Sequence, residues 1–232
     1  MEEQQEFNPT FENGGYWEYY KDLEQQFESF LNLVPYLKKN EKVYSFRLAN
    51  LILGIGAHVD SAFKEIFRYP LFSSKYKDIL RRVIAGNANI TDYRKLEPEY
   101  NLSKREVVFK CLPNRKTVIP FQRFDIKSPK WWRDYNKIKH EFSKNFDKAN
   151  LKNVRDALAG AFLLNVIHKP ARKRLFEYRL LQPKYQQGTS FVQTFNDRFD
   201  GQEMYPPRVF GVKNNNPFTI ETSLFSYDYE EY

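Results

Sequence analysis

Residues 41–68, EKVYSFRLANLILGIGAHVDSAFKEIFR, constrain this chain more than any other stretch. Apolar residues recur there at steps of three and four, which predicts one long helix. Its centre is apolar nearly all round, so other elements must enclose it. Arg47, His58 and Asp60 break the run at its edges, and it is too short to span a bilayer. The expectation is a mainly α fold with this segment as its most buried element. Gly54 and Gly56 cost helix propensity in its middle. Their use is the close approach of a neighbouring helix, or a local kink.

Other segments supply the enclosing helices. Trp17, Tyr20, Leu23, Phe27, Phe30, Leu31 and Val34 form an amphipathic period that Pro35 kinks or ends. KYKDILRRVIA predicts a shorter helix over 75–85, stopped by Gly86. A helix over 151–167 follows Asn150 as cap and stops before Pro170, with Val154, Leu158, Phe162 and Ile167 near one face. Residues 87–104 read as loop. REVVFKCLPNRKTVIPF reads as a β-hairpin over 106–121. Three regions follow: a flexible arm over 1–15, a helical domain over 16–170, and an irregular, aromatic-rich extension over 171–232. The extension holds the strand-like pieces RVFGV and FTIETSLF and closes on the acidic YDYEEY. No internal repeat is present.

Composition removes several functional classes. Gly is scarce, 9 residues in 232, which disfavours a glycine-rich phosphate-binding fold. Cys111 is the single cysteine, so no intramolecular disulfide can form and a reducing compartment fits. Three dispersed histidines, His58, His140 and His168, make a Cys/His zinc site untenable, and no metal or cofactor is expected. No Walker loop, HExxH or GxSxG occurs. The opening MEEQQEFNPT has neither the basic nor the apolar region of a signal peptide. A soluble, cytoplasmic protein with no membrane partner is the expectation. The formal charge of +8 and pI near 9.3 suit a polyanionic partner, RNA above all.

WWRDYNKIKH, residues 131–140, concentrates the chemistry. Ser128 as N-cap and Pro129 at the first helical position would open a helix running to Phe146. Trp132, Tyr135, Ile138 or Lys139, Phe142 and Phe146 then share a packing stripe. Arg133, Asn136, Lys137, His140 and Lys144 share another, with Arg133 and His140 about 20° apart in direction and roughly 10 Å apart along the axis. Such a row also describes an ordinary solvated basic face. The sharper reading is metal-free RNA cleavage. It needs a group that titrates near neutrality, which suits His, and fixed positive charge on the phosphate, which suits Arg. Because 10 Å is wide for one phosphate, that chemistry predicts a homodimer pairing the Arg of one chain with the His of the other.

The string RDYNKIKH resembles the signature of HEPN domains, helical-bundle proteins of toxin–antitoxin, phage-defence and CRISPR-linked systems. Arg133 matches the Arg of that motif, Asp134 the polar residue after it, and His140 the His at the upper end of the family's spacing. The wider pattern also resembles uncharacterised HEPN-like proteins. In those, a paired-Trp helix carrying YN.IKH precedes a small-residue-rich helix like that around Ala157 to Ala161. The resemblance covers 16–170; the extension has no counterpart in it. It implies a HEPN-like antiparallel helical bundle. The implied activity is that of a metal-independent endoribonuclease in phage defence or a toxin–antitoxin system, with an antitoxin or defence protein as partner. The alternative it carries is a non-catalytic module that binds RNA or docks a partner.

The roles expected under the catalytic reading are specific. His140 is the general base or acid, Arg133 stabilises the transition state, and Asn136 and Asp134 orient donors or the histidine. Lys137 and Lys144 track the RNA backbone, and Arg172, Lys173 and Arg174 form a second backbone-binding cluster. The other two histidines read as structural. His58 lies on the buried helix, with Asp60 nearby to cap or pair, and His168 stands at a helix end, where the dipole favours a cation. The tyrosines and phenylalanines of the extension read mainly as packing against the bundle.

Overall fold

Ser45 starts the central helix. Its backbone is extended, and its hydroxyl accepts a hydrogen bond from the Leu48 amide at 3.1 Å. Helix α2 therefore runs Phe46–Arg68 in this computed structural model, which describes residues 15–110, 116–168, 218–221 and 224–229. Helix α1 (Gly15–Leu31) buries Trp17, Tyr20, Leu23, Phe27, Phe30 and Leu31, as its period predicts. The two helices touch closely at Gly54, where a Cβ would lie 3.1 Å from Leu23 Cδ2.

Helix α9 (Leu151–Ile167) is the most enclosed element, in place of α2. Asn150 caps it as expected, its side chain accepting from the Asn153 amide at 3.1 Å. Within α9 only Lys152 and Asp156 are partly exposed, so it has no solvent face at all. Its polar residues concealed this in the sequence, because each finds an internal partner. Arg155 meets Asp156 and Tyr36, and the Asn165 amide donates to the Ala161 carbonyl and to His58 Nε2.

The helix expected over 75–85 forms as α4 (Lys77–Ile84), preceded by a short α3 (Pro70–Lys75), and the segment 87–104 expected as loop is wound into short helical pieces, α5 (Ile90–Tyr93) and α6 (Glu97–Tyr100) among them. Asn89 and Asp92 form a reciprocal capping box at α5. Tyr93 stacks on Phe63 at 4.9 Å and donates to Asp60 at 2.7 Å, which gives Asp60 the pairing role expected of it. His168 is buried at the end of α9, with Nδ1 2.5 Å from the Tyr100 hydroxyl and its ring among Tyr69, Phe72 and Tyr100.

The hairpin forms antiparallel, with β1 (Val107–Phe109) against β2 (Lys116–Val118) and Val107 opposite Val118. The extension is not wholly irregular. Its last part supplies β3 (Phe218–Glu221) and β4 (Phe225–Tyr229), and the sheet order is β2-β1-β4-β3. Phe225 is opposite Phe109 in the ladder, and its ring packs 5.4 Å from Phe109 and 5.9 Å from Phe162. The Leu224 amide donates to Glu24 on α1 at 3.2 Å. This end of the extension is thus tied to the sheet, α1 and α9. Residues 1–14 of the N-terminal arm, the hairpin tip with Cys111, Pro170, RVFGV and the Arg172, Lys173 and Arg174 cluster lie outside the described residues, and Gly15, expected in the arm, begins α1.

The chain is mainly helical, with α1, α2, α7 (Lys130–His140) and α9 packed on one another. No helix among the described residues is long and apolar enough to cross a membrane.

Candidate functional site

Helix α7 carries both faces that its sequence promises, and three contacts hold its inner face. Trp131 Nε1 donates to the Pro120 carbonyl at 2.7 Å, fixing α7 to the turn that follows β2. The Tyr135 ring occupies the space left by Gly56 of α2. Asp134 accepts from Asn153 Nδ2 of α9 at 2.9 Å, and Lys130 pairs with the same carboxylate. Trp131, Trp132, Asp134, Tyr135 and Ile138 are all buried. Burial raises the Tyr135 phenol above its ordinary range, and the nearby Asp60 charge adds to this.

The outer face presents Arg133, Lys137 and His140, all exposed. They fall within about 60° of one another around the helix axis. Arg133 Nη1 donates to the Ser128 carbonyl, and Asn136 Nδ2 donates to the Trp132 carbonyl at 3.0 Å. Both side chains therefore brace their own helix while facing outward. Lys139 is exposed, with Nζ 5.9 Å from the Tyr135 ring centroid, at the border between the two faces.

Two expectations about this helix change. Pro129, not Ser128, is the N-cap, and no side chain caps the helix; Arg133 covers the Ser128 carbonyl. The helix also stops at His140, six residues before Phe146. Glu141 departs from helical geometry at φ −138° and ψ 65°, and α8 (Phe142–Asn145) begins a new direction. The stop is fixed by Asn145, whose Nδ2 donates to the carbonyls of Glu141 at 2.9 Å and Lys137 at 3.3 Å.

That turn takes Lys144 off the α7 face. It is exposed, near Glu141, with Nζ 3.7 Å from the carboxylate. It also sends Phe142 and Phe146 to a different neighbour, Phe46 at the start of α2. The Phe46 ring centroid lies 4.6 Å from that of Phe146 and 6.3 Å from that of Phe142, and Tyr44 meets Phe146 edge-on at 5.3 Å. No local sequence signal joins these residues, because the bridge between Tyr44 and Asn150 brings them together across the chain.

Asp134 also changes place. Its neighbour in sequence, Arg133, is exposed, whereas Asp134 is 6% exposed. Spacings of three from Trp131 and four to Ile138 put it on the inner stripe, and that spacing is the signal that would have found it. Asn153, absent from the candidate residues, completes the contact and also donates to the Lys148 carbonyl at 2.9 Å.

No family model matches this chain, and no curated protein or solved structure does.

Among the described residues no group of three or more His, Cys, Asp or Glu is placed to hold a metal. His58 is buried against Asn165, with Tyr16 and Tyr19 alongside, and desolvation lowers its pKa to about 4. It is a neutral core residue, as expected. Its Nε2 accepts from the Asn165 amide, which places its own proton on Nδ1.

Proposed function

We propose that this chain is a metal-independent endoribonuclease of HEPN-like build, acting as a homodimer through the outer face of α7. One observation carries the reading: Arg133 and His140 are exposed on the same face of a helix, two turns apart, and its opposite face is fixed to the end of the hairpin, α2 and α9. Catalytic groups work from rigid supports, and this helix is one. His140 takes the proton of a ribose 2′-hydroxyl as its oxygen attacks phosphorus. The bond from phosphorus to the 5′-oxygen breaks, and that oxygen takes up a proton as it leaves. Arg133 neutralises the charge that builds on the phosphoryl oxygens, while Asn136 braces the helix between them and Lys137 and Lys144 follow the backbone. Asp134 serves by holding α7 on α9, so its contribution is to position the face. Arg172, Lys173 and Arg174 are the second backbone-binding cluster in this reading.

The reaction leaves a 2′,3′-cyclic phosphate and a 5′-hydroxyl. The test is incubation with end-labelled RNA in excess EDTA, followed by analysis of the product ends. Products with those ends support the reading; 3′-hydroxyl and 5′-phosphate ends contradict it.

A second reading, an RNA-binding or partner-docking module without activity, is favoured by a different observation. Arg133 and Asn136 both spend donors on carbonyls of their own segment. In that case RNA binding weakens steeply with salt and no RNA is cut.

A further inference from the structure

Two residues beyond His140 the surface changes character. Phe46 is 70% exposed, Tyr44 51% and Phe142 37%, and the partly buried Phe146 joins them into one cluster of rings. Ordinary folding does not account for this. A phenylalanine with most of its surface in water gives up the burial that stabilises a core. Phe46, Phe142 and Tyr44, joined through the partly buried Phe146, form one exposed apolar patch, and such patches mark binding sites.

Geometry and charge point to the occupant. Phe46 and Phe142 lie with their planes 16° apart, so the two rings present nearly parallel edges and faces. The neighbouring segments 41–47 and 139–148 carry Lys42, Arg47, Lys139, Lys144 and Lys148 against Glu41, Glu141 and Asp147, an excess of two cations; Lys144 lies 3.7 Å from Glu141 and Lys148 3.6 Å from Asp147. A second copy of the chain seated there would bury little more than a handful of rings. That area is small beside the roughly 800 Å² per partner of a stable interface. Flat apolar faces within a basic rim instead match unpaired bases on a phosphate backbone.

We infer that Phe46, Phe142 and Tyr44 form a stacking platform for the unpaired bases of single-stranded RNA, next to the His140 end of α7. This rests on the reading of α7 as an RNA-cleaving face and specifies it further. The strand lies with its bases on the rings and its phosphates towards the lysines. Duplex RNA keeps its bases stacked inside the helix, so the platform selects against it.

The test separates binding from cleavage by measuring both. Fluorescence anisotropy with labelled oligouridylate is run on full-length His140→Ala protein, so that no RNA is cut. Phe46→Ala and Phe142→Ala in that background each weaken oligouridylate binding by about ten-fold. Phe46→Trp keeps the affinity, whereas Phe46→Leu loses it, since leucine is apolar but has no ring to stack. Binding of inorganic polyphosphate, which has charge and no bases, is the same in all of them. The inference is overturned if oligouridylate binds all the variants equally, if it binds none, or if polyphosphate falls in parallel. It is also overturned if oligodeoxythymidylate binds in preference to oligouridylate, or if Phe46→Ala changes the sedimentation of the protein and leaves RNA binding as it was. Cleavage by the wild type is scored separately. Absence of cleavage with ring-dependent binding removes the nuclease and keeps the platform, and the reverse result removes only the platform.

Discussion

Gly56 and Tyr135 interlock: a Cβ at position 56 would lie 2.4 Å from the Tyr135 ring. The glycine is therefore what lets α7 approach α2, and the seating of the Arg133 and His140 face depends on it. Gly56→Ala gains about 1 kcal/mol of helix propensity. It then forces the ring away from a packed wall, at a cost of about 1–3 kcal/mol. The expected outcome is a net loss of thermal stability and, under the proposed function, weaker RNA cleavage. Calorimetry on the variant checks the first and the cleavage assay the second.

Asp134 and Asn153 are predicted to act as one unit. Asn153→Ala leaves a buried carboxylate short of a donor and the Lys148 carbonyl without that amide, which costs about 1–3 kcal/mol. Asp134→Ala exposes the converse deficit. A double-mutant cycle read by urea unfolding is expected to give a coupling of about 1 kcal/mol, with the double variant less damaged than the sum of the singles. Strict additivity would contradict the contact.

His58 makes stability fall in acid. Its folded pKa is depressed to about 4 from an ordinary 6.5, so the unfolded chain takes up the proton first. The stabilisation is complete above pH 6.5. It is lost as pH falls from there towards 4, in total about 3 kcal/mol. His58→Gln, which can still accept from Asn165, is expected to flatten the fall in melting temperature over that window. An unchanged pH profile would mean that other groups govern it.

Arg155 is the cation of a largely buried cluster. It meets Asp156, its guanidinium carbon lies 5.1 Å from the Tyr36 ring centroid, and Glu41 is 3.7 Å away. Burial pushes the Glu41 carboxyl up, but Lys116, Tyr36 and Arg155 together hold it below its usual value. Arg155→Met removes the buried cation while Lys116 stays on Glu41 and Lys152 on Asp156, so a loss of about 1–3 kcal/mol is expected in denaturant unfolding.

Subunit mixing checks the proposed dimer. If one chain supplies Arg133 and the other His140, Arg133→Ala and His140→Ala proteins are each inactive. Mixed under exchange, they regain about a quarter of wild-type activity, because half the dimers are hybrids and each hybrid holds one intact site. No recovery in demonstrated hybrids would place both groups of a site on one chain.

What the sequence revealed follows physical lines. The apolar periods of α1 and α2 and the cap at Asn150 were legible, because local spacing and a single side chain determine them. The division of α7 into a buried Trp132–Tyr135–Ile138 face and an exposed Arg133–His140 face was legible for the same reason. The break at Glu141 was not. Phe142 and Phe146 continue the helical period, and what ends the helix is the Asn145 amide on two carbonyls. The enclosure of α9 was hidden by Arg155 and Asn165, whose internal partners come from Tyr36 and His58, more than a hundred residues away in sequence. The ring cluster at Phe46 was hidden too, since it exists only once Tyr44 and Asn150 are paired.

The most direct measurement is RNA cleavage in excess EDTA by the wild type, His140→Ala and Arg133→Ala, each first shown to be folded. The prediction is cleavage by the wild type and loss of at least about a hundred-fold in each variant. Equal cleavage by all three, or none by the wild type on any RNA, would contradict an active site on the outer face of α7.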